Sequence, residues 1–448
     1  MKAGIPKGTR DFLPDQVLKR KYIFNTIESV FQTYGYIPIE TPAMENLSTL
    51  TGKYGEEGDR LLFKVLNNGD YLAKANQEAL SEKNSQKLIS SISKRGMRYD
   101  LTVPFARYVV MHQNDIQFPF KRYQIQPVWR ADRPQKGRYQ EFYQCDVDVV
   151  GSNSLMYEAE LVKIYDEVFK KLNLNVEIKI NNRKVLFGIA EAVGIEGQFM
   201  DMTIAIDKLD KIGEQGVLQE LAYKGIDGDK GETILSLLQI KSLDALSEAF
   251  TNCETGLKGI EELRTFHQYA DSVGFHNDVA FDISLARGLN YYTGCIFEVK
   301  SKDVEIGSIG GGGRYDDLTS VFGMKGVSGV GISFGAARIY DVMIELDAFP
   351  ESLSNQSQII FVSFDQASHQ YAYTQVAALR AQGISSDIYP EPAKMKKQMK
   401  YAHDRGIPLV GIIGDEEMNS DKVMVKNMVS GEQEPMSLED LIVKLRES

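Results

Sequence analysis

The sequence predicts an α/β (α+β) chain: an antiparallel sheet backed by helices, a helical insertion, and a smaller C-terminal α/β unit. Three observations carry this. Residues 119–150 hold two runs of period-two alternation joined by a loop with Pro134 and Gly137, the pattern of an antiparallel hairpin. From about 180 to 265 the texture changes to short helical patterns with many glycines. Beyond the polar stretch 349–358, apolar strand-like segments alternate with helix-like ones. A length of 448 residues agrees with about three domains.

Taken in order, residues 15–34 form one amphipathic helix, with Ile23, Ile27, Val30, Phe31 and Tyr34 on a single face and Gly35 as its stop. Residues 36–42 read as a short extended segment closed by Pro42. In the hairpin, Tyr123, Ile125, Pro127 and Trp129 alternate with Gln124, Gln126, Val128 and Arg130. After the loop, Tyr143, Cys145, Val147 and Val149 alternate with Phe142, Gln144, Asp146 and Asp148. Burial of the apolar face leaves Arg130, Asp132, Phe142, Gln144 and Asp148 sharing a second face, turned to solvent or to a ligand. Residues 155–172 read as a helix, 281–297 as strand–turn–strand, and 306–318 as a glycine-rich turn leading into a helix. Residues 327–334 read as a strand, with a helix following from Gly335. The tail repeats strand and helix through IIFVSF, DIYP and PLVGIIG, with a basic helix around Lys394–Lys397.

Composition narrows the classes. Hydrophobic residues make up 43% and charged residues 25%, enough for a large core. No apolar run is long enough to cross a membrane, and the N-terminus lacks the apolar stretch of a signal peptide; the widely spaced cysteines fit a reducing cytosol, so a cytoplasmic protein is expected. Cys145, Cys253 and Cys295 are far apart, so neither a disulfide framework nor a cysteine zinc site is expected. Five histidines without HExxH spacing give no metal site. The Gly310–Gly313 run lacks a following GK[ST], which excludes a P-loop. The net charge of −11 argues against an RNA partner, yet it is uneven. Residues 119–140 carry Lys121, Arg122, Arg130, Arg133, Lys136 and Arg138 against Asp132 alone. Residues 391–405 carry five basic residues against two acidic, while 181–260 has 13 acidic against 8 basic. Arg130, Arg287 and Arg338 each lie beside a turn and aromatic residues. Three such arginines without a histidine base suit chemistry whose obstacle is charge on phosphate.

At these residues the sequence resembles a class II aminoacyl-tRNA synthetase, and within that class the histidyl-tRNA synthetase family. The class motifs correspond to the helix and strand ending at Pro42, to VWRADRPQKGRYQEFYQCDVD (128–148) and to GVGISFGAARI (329–339). LARGLNYYTG (285–294) and GGGGRYDDL (310–318) resemble stretches peculiar to the histidine enzymes, and 359–448 resembles their anticodon-binding domain. The resemblance implies a catalytic domain in two parts, 1–180 and 266–348, around an inserted module, 181–265. A linker, 349–358, then leads to the anticodon-binding domain. The third motif departs from the family at Ala337, where an acidic residue usually precedes the arginine. Asn290 replaces an aspartate, and Asp100 and Asp148 stand where many members have glutamate.

The implied reaction joins L-histidine to ATP, giving histidyl-adenylate and pyrophosphate, and then moves histidine to the 3′ end of its tRNA. Arg130 and Arg287 are implied at the α-phosphate and Arg338 at the outer phosphates, with Phe142, Asp132 and Arg138 also on ATP. Asp100, Thr102 and Gln144 are implied at the α-ammonium, Asp148 and Tyr292 at the imidazole, and Tyr291 and Tyr315 along the pocket. Mg²⁺ is implied by ATP, with no ligands identified. Arg133, Gln135 and Lys136 are candidates for the tRNA acceptor end, and Lys394 and Lys397 for the anticodon stem. The first motif implies a homodimer. The alternative is a non-catalytic synthetase-like regulatory subunit of histidine biosynthesis; such proteins typically lack the tail and parts of ARGL–YY, both present here.

Overall fold

The computed structural model describes residues 3–51, 55–135, 137–286, 291–350, 353 and 357–447, the side chains of 55–57 excepted. The chain divides into two compact units, Met1–Pro350 and Glu351–Ser448.

The first unit is organised by an eight-stranded sheet. Its strands are β1 (Ile37–Pro38), β2 (Phe120–Trp129), β3 (Glu141–Val150), β4 (Val176–Asn182), β5 (Asp278–Phe281), β6 (Cys295–Ser301), β7 (Gly310–Tyr315) and β8 (Gly329–Phe334). Their order across the sheet is β1-β2-β3-β8-β7-β6-β4-β5. Only the outer pairs β1–β2 and β4–β5 are parallel. The β2–β3 hairpin pairs over all ten residues, placing Arg122 opposite Asp148, Gln124 opposite Asp146 and Gln126 opposite Gln144.

Strand parity divides this sheet. One face carries Tyr123, Cys145, Val147, Ile332, Phe334, Val299, Ile178 and Ile180, all in a single apolar core. Helices α1 (Pro14–Thr33), α2 (Met156–Lys171) and α3 (Glu254–Val273) add Ile27, Phe31, Tyr165, Phe169, Leu263 and Phe266 to that core. Gly35 ends the first helix region at φ +74°, a conformation that needs no Cβ. The other face is apolar at Phe120 and Val150, which join a second apolar cluster, and polar beyond them, but it is not solvated as the alternation alone suggests. Arg122, Gln124, Asp146 and Asp148 are all buried. Desolvated polar groups need partners, and they find them in one another and in a cleft.

Two sequence expectations are corrected. Residues 310–315 form a central strand, not a turn, followed only by a short 3-10 turn, Leu318–Phe322. Glycine is required by close approach. A Cβ on Gly310 would meet the Tyr165 ring at 2.8 Å, one on Gly312 the Gly331 carbonyl at 2.2 Å, and one on Gly313 the Cys295 carbonyl at 2.7 Å. The strands near 281–297 are not hairpin partners either. β5 and β6 flank β4 on opposite sides, joined by a long connection. The helical stretch runs from Arg183 to Val273, and its Val185, Leu186, Ile189 and Ile260 share the core of the sheet.

The second unit has five strands, Ser386–Ile388, Ile359–Ser363, Leu409–Ile413, Val423–Asn427 and Gln433–Met436, in that spatial order. Helices Gln366–Ala381 and Met395–Asp404 connect the parallel ones.

Candidate active site

The polar face of the sheet opens into a cleft of about 940 Å³. Arg130, at the end of β2, lies with its guanidinium 4.2 Å from the Tyr99 ring centre and 5.2 Å from that of Phe142. Its Nε donates to the Tyr99 carbonyl at 3.0 Å. Asp132, Arg138, Phe142 and Arg338 line the same cleft. Arg138 approaches Asp132 at 3.7 Å and is half exposed. Arg338 follows β8, near the start of the helix Ala336–Glu345. Its Nε donates to the Gly137 carbonyl at 2.9 Å and an Nη to the Ser308 carbonyl at 2.7 Å. Backbone oxygens thus hold this guanidinium where Ala337 offers no carboxylate.

A small recess of about 60 Å³ adjoins the cleft; Arg130, Gln144, Tyr292, Gly311 and Ser333 line both. Asp100, Thr102, Asp146, Asp148, Tyr291 and Tyr315 complete its wall. Asp100 is anchored by the Val103 amide, 3.2 Å from its Oδ1, in the first turn of Thr102–Met111. Asp148 forms a buried ion pair with Arg122 at 2.7 Å and accepts the Tyr315 hydroxyl at 2.7 Å. Burial pushes the Asp148 carboxyl up, opposed by Arg122 and by the Tyr315 hydrogen bond. Burial pushes Asp146 up to about 7; Arg122 opposes this and Asp148 reinforces it. The phenols of Tyr292 and Tyr315 are raised far above their usual range, again first by burial, so both stay protonated donors. A Cβ on Gly331 would lie 1.9 Å from Asp148 Oδ1, so glycine there makes room for the carboxylate.

Most sequence candidates therefore meet. Arg130, Asp132, Arg138, Phe142 and Arg338 share the cleft, and Asp100, Thr102, Gln144, Asp148, Tyr291, Tyr292 and Tyr315 share the recess. Arg287, Asn290 and Lys136 lie outside the described residues. Arg133 and Gln135 are exposed on the loop after β2. Lys394 and Lys397 belong to the second unit, at and within Met395–Asp404, and Lys397 is 3.9 Å from Glu391.

Three residues escaped the sequence reading. Asp146 and Arg122 lie on the polar face, and Arg183 lines the cleft from the start of the helical stretch. The basic island of 119–140 is correspondingly weaker than its charge sum. Arg122 is wholly buried against Asp148, Lys121 pairs with Glu160 at 2.7 Å, and Arg130 is inside the cleft.

The family model described as histidyl-tRNA synthetase matches residues 8–74 and 70–339, and that of the anticodon binding domain matches 356–448. The chain is 56% identical to a histidine–tRNA ligase of Bacteroides fragilis over 446 residues, 98% of each protein. It is 54% identical to that of Phocaeicola vulgatus over 450 residues, 99% of each. The crystal structure of histidyl-tRNA synthetase from Nostoc sp. PCC 7120 superposes with a TM-score of 0.84 at 30% identity, covering 100% of this chain and 99% of that one.

Proposed function

The chain belongs to the histidyl-tRNA synthetase family, and we propose that the cleft and its recess are where it performs that family's chemistry. It is an ATP-dependent histidine–tRNA ligase. It activates L-histidine to histidyl-adenylate with release of pyrophosphate, then transfers histidine to the 3′ end of its tRNA. The regulatory-subunit alternative falls, because the full-length relatives are ligases and the anticodon-binding unit is present.

The observation that carries the site assignment is the shared wall. The recess has the size and polarity for an amino-acid side chain, the cleft has the room for a nucleotide, and Arg130 stands where they join. In this reading the histidine α-ammonium meets Asp100, Thr102 and Gln144, and its ring enters toward Asp148 and Tyr292, beside Tyr291 and Tyr315. Adenine lies against Phe142, with Asp132 and Arg138 near. The attacking carboxylate is already ionised, so the first step needs no general base. It needs alignment with the α-phosphate and neutralisation of the charge that builds there. Arg130 supplies that charge, together with Arg287, while Arg338 holds the departing pyrophosphate. Backbone contacts on Arg130 and Arg338 fix both guanidinia before substrate arrives, so little reorganisation is left for the transition state.

Among the described residues no cluster of three or more His, Cys, Asp or Glu side chains is suited to a metal ion. Mg²⁺ enters as part of the nucleotide substrate, carried by its phosphates. The acceptor end of the tRNA meets the rim at Arg133, Gln135 and Lys136, and the anticodon stem meets Lys394 and Lys397. We place the protein in the cytoplasm, as a homodimer through the first helix and strand; its free, buried thiols suit a reducing compartment. Among the described residues no helix is long and apolar enough to cross a membrane. The test is histidine-dependent ATP–pyrophosphate exchange by the purified chain, and its absence overturns the reading. Sedimentation near 50 kDa at micromolar concentration overturns the dimer.

A further inference from the structure

We propose that Arg183 holds the phosphate of the 3′-terminal nucleotide of the tRNA during the second half of the reaction, with the base of that nucleotide against Met200 and Ile204 on the same wall of the cleft. This rests on the cleft being where histidine is activated.

The argument begins with buried charge. Among the described residues four arginines are buried, Arg98, Arg122, Arg183 and Arg314. Three have strong acceptors in the protein. Arg122 pairs with Asp148 at 2.7 Å, and Arg314 Nη2 donates to Glu158 at 2.7 Å. Arg98 gives its Nε to the Pro127 carbonyl at 2.8 Å and an Nη to the Thr41 carbonyl at 2.6 Å. Arg183 has neither a carboxylate nor a carbonyl. Its guanidinium lies 5.0 Å from the Phe199 ring centre, an Nη reaches the Met200 sulfur at 3.7 Å, and its buried Nε has no acceptor. Only 7% of the residue is exposed. Burial pushes its pKa down, and no carboxylate among the described residues opposes this. A buried cation without an anion is costly, and an apolar side chain would fill the place at less cost. The position is also firmly set. Arg183 opens the helix Arg183–Val193, and its amide donates to the Gly294 carbonyl at 2.8 Å.

The wall on which Arg183 stands identifies the missing anion. The helical stretch contributes Arg183, Met200, Thr203, Ile204, Asp207 and Lys208 to the cleft. Lys208 is engaged by Glu220 at 2.7 Å. Met200 and Ile204 are 38% and 45% exposed although apolar. Exposed apolar side chains beside an uncompensated cation match a base and its phosphate. The activation step leaves this wall unused, since adenine lies at Phe142 and the ATP phosphates at Arg130 and Arg338. In the transfer step a hydroxyl of the terminal ribose attacks the carbonyl carbon of histidyl-adenylate. The ester bond forms, the carbon–oxygen bond to phosphate breaks, and AMP leaves with that electron pair as the hydroxyl proton is released. Arg130 is still engaged by the adenylate, so the phosphate on the incoming ribose needs another cation in the same cleft. Arg183 supplies it.

The test compares two rates in purified full-length proteins: ATP–pyrophosphate exchange, and single-turnover transfer of histidine from preformed histidyl-adenylate to its tRNA. In Arg183→Met, transfer should fall about tenfold or more beyond any fall in exchange. The melting temperature should not drop, because the substitution removes a costly buried charge. Arg183→Lys keeps the charge without the planar fork and should recover part of the transfer rate. Transfer that falls no further than exchange overturns the proposal. So does loss of the fold in Arg183→Met, or a loss of transfer in Arg183→Lys as deep as in Arg183→Met. Absence of exchange in the wild type overturns the reading of the cleft itself.

Discussion

The two sheets of this protein bury their strands in opposite ways. In the C-terminal unit, Ile359–Ser363 is buried throughout. Ile359 and Phe361 join Val376 and Leu379 on one side, and Ile360 and Val362 join Ala402 and Val410 on the other. Its buried polar residues, Ser363, Ser368, Ser386 and Gln398, are all neutral. In the eight-stranded sheet one face is equally apolar, while the other buries Arg122, Asp146 and Asp148. A continuous apolar strand marks a scaffold covered from both sides. The alternating strand is covered differently: its polar half is buried partly under protein, with Arg122 beneath the Phe105 ring, and partly along the wall of the recess.

Four measurements test that contrast. The largest effect belongs to the scaffold. Phe361→Ala should cost about 3–5 kcal/mol of stability in the C-terminal unit through the cavity it leaves. It should lower tRNA charging while exchange stays within about twofold; a parallel loss of exchange would show that the sheets are not energetically separate.

Next comes the charged face, through pH. In the unfolded chain Asp146 titrates near 3.9, and in the fold near 7. Below pH ~4 both states are protonated, and the group makes no difference to the slope. Between there and 7 the folded state keeps a proton that the unfolded state has lost, so stability falls as pH rises. Denaturant titrations at pH 5 and pH 7 should show the wild type losing about 2 kcal/mol relative to Asp146→Asn. Parallel curves would mean that Asp146 is ionised across the range.

Arg130→Ala should reduce exchange about a hundredfold, on the order of 3 kcal/mol of transition-state stabilisation. Its melting temperature should stay within a few degrees, since the side chain faces a cleft. Unfolding instead would make Arg130 part of the scaffold. The smallest effect is at Lys397, exposed and 3.9 Å from Glu391. Lys397→Ala should change stability by less than ~0.5 kcal/mol and raise the KM for tRNA a few-fold without altering exchange.

Much of the candidate site was legible in the sequence, because hairpin parity sorts side chains without tertiary information. Phe142, Gln144 and Asp148 share a face by counting alone. Arg122 was just as countable, since the register that pairs Phe120 with Val150 pairs Arg122 with Asp148. It was obscured by Lys121 beside it, which gives the pair the look of a solvated basic patch. Asp146 was hidden by its similarity to Asp148; what separates them is the Arg122 ion pair, a tertiary fact. The glycine strand was not legible, because glycine weakens strands in general and is selected here by the Tyr165 ring and neighbouring backbone, brought in from distant sequence. The backbone cradle of Arg338 was likewise invisible, since carbonyl oxygens leave no signature in residue type.

The run Gly310–Gly313 also bears on how the sheet is held together. A segment with no side chains brings no apolar surface with which to collapse, and alone it has the highest conformational entropy to lose. It is secured by ladders to Gly329–Phe334 on one side and Cys295–Ser301 on the other. It joins the hairpin side of the sheet to the strand that follows the helical stretch, and its place is set by backbone ladders and not by side chains. Both the cleft and the recess include Gly311 in their walls. The cleft and recess proposed to hold substrate thus depend on both ladders of this glycine strand.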